Sequence, residues 1–373
     1  MTLLLGRPQT TPPATAGGGR LPSLTGMRWA AAFLVFIFHV TRFDYFGGGF
    51  GLVVDGILGG GGVGVSFFFI LSGFVLAWSF REDERALTFW RRRIARVYPV
   101  HLVTAAMALA LAFTLVPGLR PSGIPEAVAN LLLVSSWKEQ WWQALNPVSW
   151  SLTCEAFFYA AFPAIFALLR RLRPRLLTTL TMASTAAVIL IPCANLTFAL
   201  GWSPHFPLVR LPEFVVGAAA CRLVQLGAWR GPGLGTSAAL SLTGYILMWP
   251  LPSAFCYAAC TVIGLVCLIS AAAVADLNGT PTRWRHPRLV RLGEWSFAFY
   301  MIHILVMRTG EQLFTVSPRL GIVPGLAVTT AAFLVSLGLA WALYVVVEQR
   351  CRQWILRGIR RPRRPRLSSS AEH

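Results

Sequence analysis

The chain alternates long apolar runs with short polar joints rich in arginine. Residues 56–80, 176–204, 231–275 and 320–347 contain no Asp, Glu, Lys or Arg. A helix rising about 1.5 Å per residue needs about 20 apolar residues to cross a bilayer, so runs of this kind predict membrane spans. The run 231–275 is too long for one span, and Pro250 and Pro252 divide it into two helices joined by a tight turn. Ten spans result, near 27–42, 58–80, 99–117, 145–168, 178–199, 207–228, 235–251, 254–275, 294–316 and 322–347, with Arg308 and Glu311 interrupting the ninth. The predicted fold class is all-α, a polytopic bundle of about ten transmembrane helices. Residues 1–22, rich in Pro, Thr and Gly, read as a disordered cytoplasmic tail, 23–350 as the membrane domain, and 351–373 as a basic cytoplasmic tail.

Composition strengthens this reading. Charged residues are 13% of the chain, about half the usual share in a soluble domain. The formal net charge of +19 would suit a nucleic-acid binder, yet the basic residues lie in the joints between apolar runs. With the N-terminus inside and the spans alternating, 27 of the 33 basic residues fall in inner segments and only Arg42, Arg120, Lys138, Arg210, Arg308 and Arg319 fall elsewhere. Basic joints mark the cytoplasmic side, so both termini are cytoplasmic, the protein is a multi-pass protein of the cell membrane, and no nucleic-acid partner is expected. Lys138 is the sole lysine, a bias that points to a GC-rich genome. No short hydrophobic region with a cleavage site opens the chain, so a removed signal peptide is not expected. The seven cysteines show no paired ligand spacing, and no metal site is expected.

Ionisable groups within spans are costly and default to function. Arg28 and His39 are eleven residues apart, close to three helical turns, and share one stripe of the first span. With Arg28 at the inner surface, His39 falls near the bilayer midplane, where a neutral imidazole can take a proton from an alcohol or simply bond a neighbouring helix. The joint Trp90–Pro99 carries Arg93 and Arg96 one turn apart, a clamp for a polyphosphate or a topogenic cluster. Glu155 opens an apolar stretch and should face the interior, either orienting an imidazole or pairing with an arginine. Ser296, Tyr300 and His303 recur at i, i+4, i+7 and offer a polar face to an acceptor. Arg210 with Glu213, and Glu348 with Arg350 and Arg352, read as structural or interfacial pairs. The glycines at 59–62 suit close helix packing. Trp137, Trp141 and Trp142 in the outer connection 118–144 form either an interfacial belt or a platform for a sugar.

Taken in order, these pieces resemble the acyltransferase-3 family of bacterial membrane O-acyltransferases, over about residues 20–350. The family's Arg, ten residues, then His is met by Arg28 and His39. Its Phe-Phe-x-x-Ser-Gly is met by Phe68, Phe69, Ser72 and Gly73, and its Arg-x-x-Arg by Arg93 and Arg96. Trp150, Ser151, Leu152 and Glu155 meet Trp-Ser-Leu-x-x-Glu. Leu292, Gly293, Ser296, Tyr300 and His303 are similar to its late segment. One position departs: Val65 stands where the family usually has an acidic residue before the Phe pair.

The resemblance implies a helical bundle around a cavity, with acyl-coenzyme A as co-substrate and no bound cofactor. Arg28, Arg93, Arg96 and Ser72 would bind the acyl donor. His39 would be the catalytic base, with Glu155 as a second catalytic group. Trp150, Ser296, Tyr300 and His303 would line the acceptor cavity. The acceptor would be a hydroxylated glycan or macrolide. A compact, arginine-rich chain without the hydrolase-like domain of some relatives looks like the actinobacterial antibiotic-modifying branch. The competing class is a transporter or flippase without chemistry, although no internal repeat is visible in the sequence.

Overall fold

The computed structural model describes residues 19–357 except 82–83, 253–254, 256 and 314–316. Residues 1–18 of the tail expected at 1–22, residues 358–373 of the tail expected at 351–373, and part of the turn expected between the seventh and eighth spans lie outside the described residues. The described chain is helical: α1 (Pro22–Arg42), α2 (Gly48–Leu58), α3 (Val63–Ser79), α4 (Ala86–Thr114), α5 (Ile124–Leu131), α6 (Trp150–Leu169), α7 (Pro174–Phe198), α8 (Pro207–Gln225), α9 (Leu234–Leu247), α10 (Val262–Leu277), α11 (Pro287–Leu313), α12 (Ile322–Ala342) and α13 (Arg350–Leu356). A π-helical segment, Leu343–Gln349, joins the last two.

Every expected span has its helix, and seven stretches among the described residues are long and apolar enough to cross a membrane. The shortfall from ten has a physical cause. Helix α8 carries Arg210, Glu213 and Arg222, while α9 and α10 have only 14 and 16 residues. Three other expectations change. The basic joint at 90–99 is helical throughout, because α4 starts at Ala86 and runs through Pro99. The outer connection 118–144 contains α5. A further helix, α2, precedes the second span.

Contacts between distant segments establish two ends of the bundle. At one end the Ser23 hydroxyl donates to Asp276 at 2.7 Å, Trp78 donates to the Gly19 carbonyl at 2.9 Å, and Arg91 donates to the Ile355 carbonyl at 2.6 Å. At the other end the Gly47 amide donates to the Leu320 carbonyl at 2.9 Å, and Tyr245 donates to the Ile57 carbonyl at 2.8 Å. These pairings require the alternation of sides deduced from charge. The arginine-rich end is the cytoplasmic one by the positive-inside rule.

Helix α3 is buried at its centre, and it meets α8 where two glycines face each other. A methyl at Gly73 would overlap the Phe214 carbonyl, and a methyl at Gly217 would overlap the Ile70 carbonyl. Small residues let membrane helices approach this closely. Gly217→Val should therefore cost about 1–3 kcal/mol by overpacking, read as a lower melting temperature in detergent. An unchanged melting temperature would show that the crossing has slack.

Candidate active site

Segments of α1, α3, α4, α6, α11 and the α12–α13 stretch enclose a cavity of about 390 Å³ near the cytoplasmic end. Helical spacing selects the side chains that reach it. On α3, Phe68 and Ser72 sit four residues apart on the wall. Phe69, one position on, also borders the cavity while packing edge-on against Trp150 and Phe158. On α4, Arg93 and Arg96 reach the cavity. On α6, Ser151, Glu155 and Tyr159 follow at intervals of four, and on α11 Ser296 and Tyr300 do the same. Arg28 enters from α1. Seven of the ten site residues expected from sequence thus share one cavity.

The arginines divide by their partners. Arg92 pairs with Glu84, Arg91 holds Ile355, Arg210 pairs with Glu213 at 2.6 Å, and Arg308 pairs with Glu311 at 3.1 Å. The guanidinium groups of Arg28, Arg93, Arg96 and Arg352 make no hydrogen bond or ion pair with any described residue, and all four line the cavity. Three carboxylates share the space. Glu155 accepts from Tyr159 at 2.5 Å, Glu294 accepts from Tyr344 at 3.4 Å, and Glu348 is buried with one oxygen unpartnered. Four guanidinium groups against three carboxylates leave one positive charge in excess, and unpaired guanidinium forks match the oxygens of phosphate.

Two readings from sequence change here. Glu155 bonds Tyr159 rather than an imidazole, because the i+4 spacing on α6 brings the phenol to it first. Glu348 is a cavity wall residue and not an interfacial ion pair, since it makes no ion pair among the described residues.

His39, His303 and Trp150 are not on the wall. His303 lies one turn beyond Tyr300 on α11, fully buried, with its ring 5.9 Å from the Tyr300 ring. Its Nε2 is 3.0 Å from Nδ1 of His39, and the same His39 Nδ1 is 2.9 Å from the Val35 carbonyl. The histidine pair therefore continues the line from the cavity through Tyr300 towards the outer end of α1. Trp150 is displaced from the cavity because its ring is held in an outer aromatic cluster, edge-on to His205 at 4.7 Å. His205 in turn stacks flat on Trp142 at 3.8 Å. His205 lies in the loop before α8. Burial, with the nearby Arg210 charge, pushes its pKa down to about 3, so it acts as a neutral ring. Trp142 is thus part of the protein's packing, not only a belt residue.

The entry to α6 locks these parts together. Asn146 donates to the Met301 carbonyl at 2.8 Å, between Tyr300 and His303. Ser151 lies 2.9 Å from the Tyr300 hydroxyl, which also donates to the Val148 carbonyl at 3.2 Å.

Comparison with known proteins gives the family. The acyltransferase domain family Acyl_transf_3 matches residues 21–345. The chain belongs to this family. It is 40% identical over 367 residues to acyltransferase MdmB of Streptomyces mycarofaciens, covering 92% of this chain and 94% of that one. It is 28% identical over 174 residues to O-acetyltransferase OatA of Staphylococcus aureus, covering 42% of this chain and 26% of that protein. Peptidoglycan O-acetyltransferase OatA of Listeria monocytogenes is 26% identical over 164 residues, 39% of this chain and 24% of that protein. No solved structure matches.

For this Acyl_transf_3 protein, sequence reasoning missed Tyr159, Glu294, Tyr344 and Arg352 on the wall. Tyr159, four residues beyond Glu155, was discoverable from spacing. The other three depend on how α11 meets the π-helical stretch, which no local pattern records. The Asn146 bond yields a prediction. Asn146→Ala removes the tie to the Met301 carbonyl and the Oδ1 that accepts from the buried Val148 amide, and should cost about 1–3 kcal/mol, read as a lowered melting temperature in detergent. No change would mean that Asn146 does not fasten α6 to α11.

Proposed function

We propose that this membrane acyltransferase moves an acyl group from acyl-coenzyme A to a hydroxyl of a sugar-containing acceptor, with His39 as general base. The observation that carries the reading is the set of unpaired guanidinium groups at Arg28, Arg93 and Arg96, gathered on one cavity at the cytoplasmic end. Coenzyme A thioesters are cytoplasmic and carry several phosphates, so a cavity with excess positive charge there suits them. With the phosphates held near those arginines and by Ser72, an extended pantetheine arm would pass Ser296 and Tyr300 towards the histidine pair. The acceptor oxygen attacks the thioester carbonyl while its proton passes to His39. The carbon–sulfur bond then breaks, and the imidazolium returns the proton to the departing thiolate. Glu155 would act from the donor side, through Tyr159. Trp150 would support the acceptor region without touching the donor. A glycosylated antibiotic of the macrolide type is favoured over an envelope glycan. The support is correspondence along nearly the whole of a Streptomyces acyltransferase, against partial matches to two OatA O-acetyltransferases, one of them a peptidoglycan enzyme. The family match sets aside the transporter reading.

Two predictions follow from the donor and base roles, both measured with purified protein, radiolabelled acetyl-coenzyme A and a panel of glycosides. His39→Ala should lower kcat by about 10²–10⁴-fold while the protein folds normally; full transfer by that variant would remove His39 from the chemistry. Arg93→Ala and Arg96→Ala should each raise KM for the thioester about tenfold or more, the worth of a charge-assisted hydrogen bond. Arg92→Ala should leave KM unchanged, because Arg92 is committed to Glu84. Equal effects at all three positions would return the arginines to a topological role.

A further inference from the structure

The histidine pair carries more than its position. His39 Nδ1 faces the Val35 carbonyl at 2.9 Å, and His303 Nδ1 faces the Phe299 carbonyl at 3.2 Å. A carbonyl oxygen only accepts, so each Nδ1 must carry its hydrogen. The neutral His303 ring then has a bare Nε2, which lies 3.0 Å from His39 Nδ1. The His39 Nδ1–H is accordingly shared between the Val35 carbonyl and His303 Nε2. The opposite assignment would set lone pairs against both carbonyls. One tautomer of His39 remains, with its lone pair on Nε2, a nitrogen with no partner among the described residues. His303 itself is fully buried and wedged against Phe36 and Phe299 at ring separations of 6.2 and 5.9 Å, so its ring is held in place.

We infer that His303 is a positioning residue for the reaction: by accepting from His39 Nδ1–H it fixes the tautomer of His39 and leaves Nε2 as the proton acceptor. This rests on His39 being the base. When Nε2 of His39 takes the acceptor's proton, the ring becomes an imidazolium, and its Nδ1–H bond to the neutral His303 strengthens. His303 thereby favours the charged form that exists only during the reaction. It exchanges no proton with substrate and contacts neither donor nor acceptor. The role lies outside the cavity-lining function that its spacing with Ser296 and Tyr300 had implied.

Two substitutions separate this role from simple packing. In His303→Asn the short carboxamide can keep the bond to Phe299 but cannot reach His39. In His303→Gln the longer side chain places an oxygen near the position of Nε2 and restores the acceptor. With acetyl-coenzyme A and a macrolide glycoside, His303→Asn should lower kcat roughly 10- to 1,000-fold, a loss of the kind that a wrong tautomer produces. KM for the thioester should stay within about twofold, and His303→Gln should recover most of kcat. Nitrogen NMR of histidine-labelled protein in lipid nanodiscs gives a readout independent of turnover. His39 should show a protonated Nδ1 in the wild type and in His303→Gln, and a mixture of tautomers in His303→Asn. Unchanged kcat in His303→Asn, equal losses in both variants, or an unchanged His39 tautomer in His303→Asn would each overturn the inference. Full activity of His39→Ala would instead overturn the base assignment, so the two failures are distinguishable.

Discussion

Solvation of charge inside the bundle constrains everything else in this protein. An ion moved out of water into a low-dielectric interior loses several kcal/mol even after relaxation. Here four guanidinium groups and three carboxylates share one cavity between helices. The chain tolerates most of them by keeping them near the helix ends at the cytoplasmic face, while Glu155, well inside α6, is held by Tyr159. Arg28 lies early in α1, Arg93 and Arg96 early in α4, Glu294 early in α11, and Arg352 in the terminal α13. Along the axis of α1, His39 lies roughly 16 Å further in than Arg28. The groups that reach that depth next to the cavity are imidazoles and a phenol, which are neutral. The site is therefore graded, with most ions towards the cytoplasmic end and neutral hydrogen-bonding groups deeper in.

The same gradient explains why the family's short motifs have their form. Each divides its residues between the cavity and the scaffold. In Phe68-Phe69-Ile70-Leu71-Ser72-Gly73, positions 68 and 72 face the cavity, 69 borders it while packing on α6, and 73 serves the contact with α8. In Trp150–Glu155, Ser151, Leu152 and Glu155 are on the wall, and Trp150 is anchored in the outer aromatic cluster. In the late segment, Gly293 lets α11 approach the Thr25 carbonyl of α1, Ser296 and Tyr300 line the cavity, and His303 reaches His39. A motif of this kind records a helix face and its reverse together.

Much of this was legible in the sequence because a bilayer leaves the chain few options. Uncharged runs located the helices, arginine asymmetry located the sides, and the eleven-residue interval placed Arg28 and His39 on one stripe. Other features were not legible, for three physical reasons. The run 231–275 divides into helices of only 14 and 16 residues, and an uncharged run does not show where such short helices begin and end. The helical state of 90–99 was masked by its arginines, which are good helix formers that resemble a loop in a hydropathy plot. The partners of Glu155, Glu348 and His303 depend on helix packing, and spacing along one helix does not reveal which neighbour arrives opposite it. Trp150 shows the same limit: its motif was plain, yet its ring faces His205 instead of the cavity.

The central claim is that the arginine-lined cavity delivers a thioester to the histidine pair. The most direct test is an experimentally determined structure of the protein in lipid with a non-transferable thioether analogue of acetyl-coenzyme A. Phosphate density is expected against Arg28, Arg93 and Arg96, with the analogue's carbonyl beside Tyr300 within reach of His39. Phosphates bound elsewhere, or a carbonyl lodged against Glu155 and remote from His39, would contradict that claim.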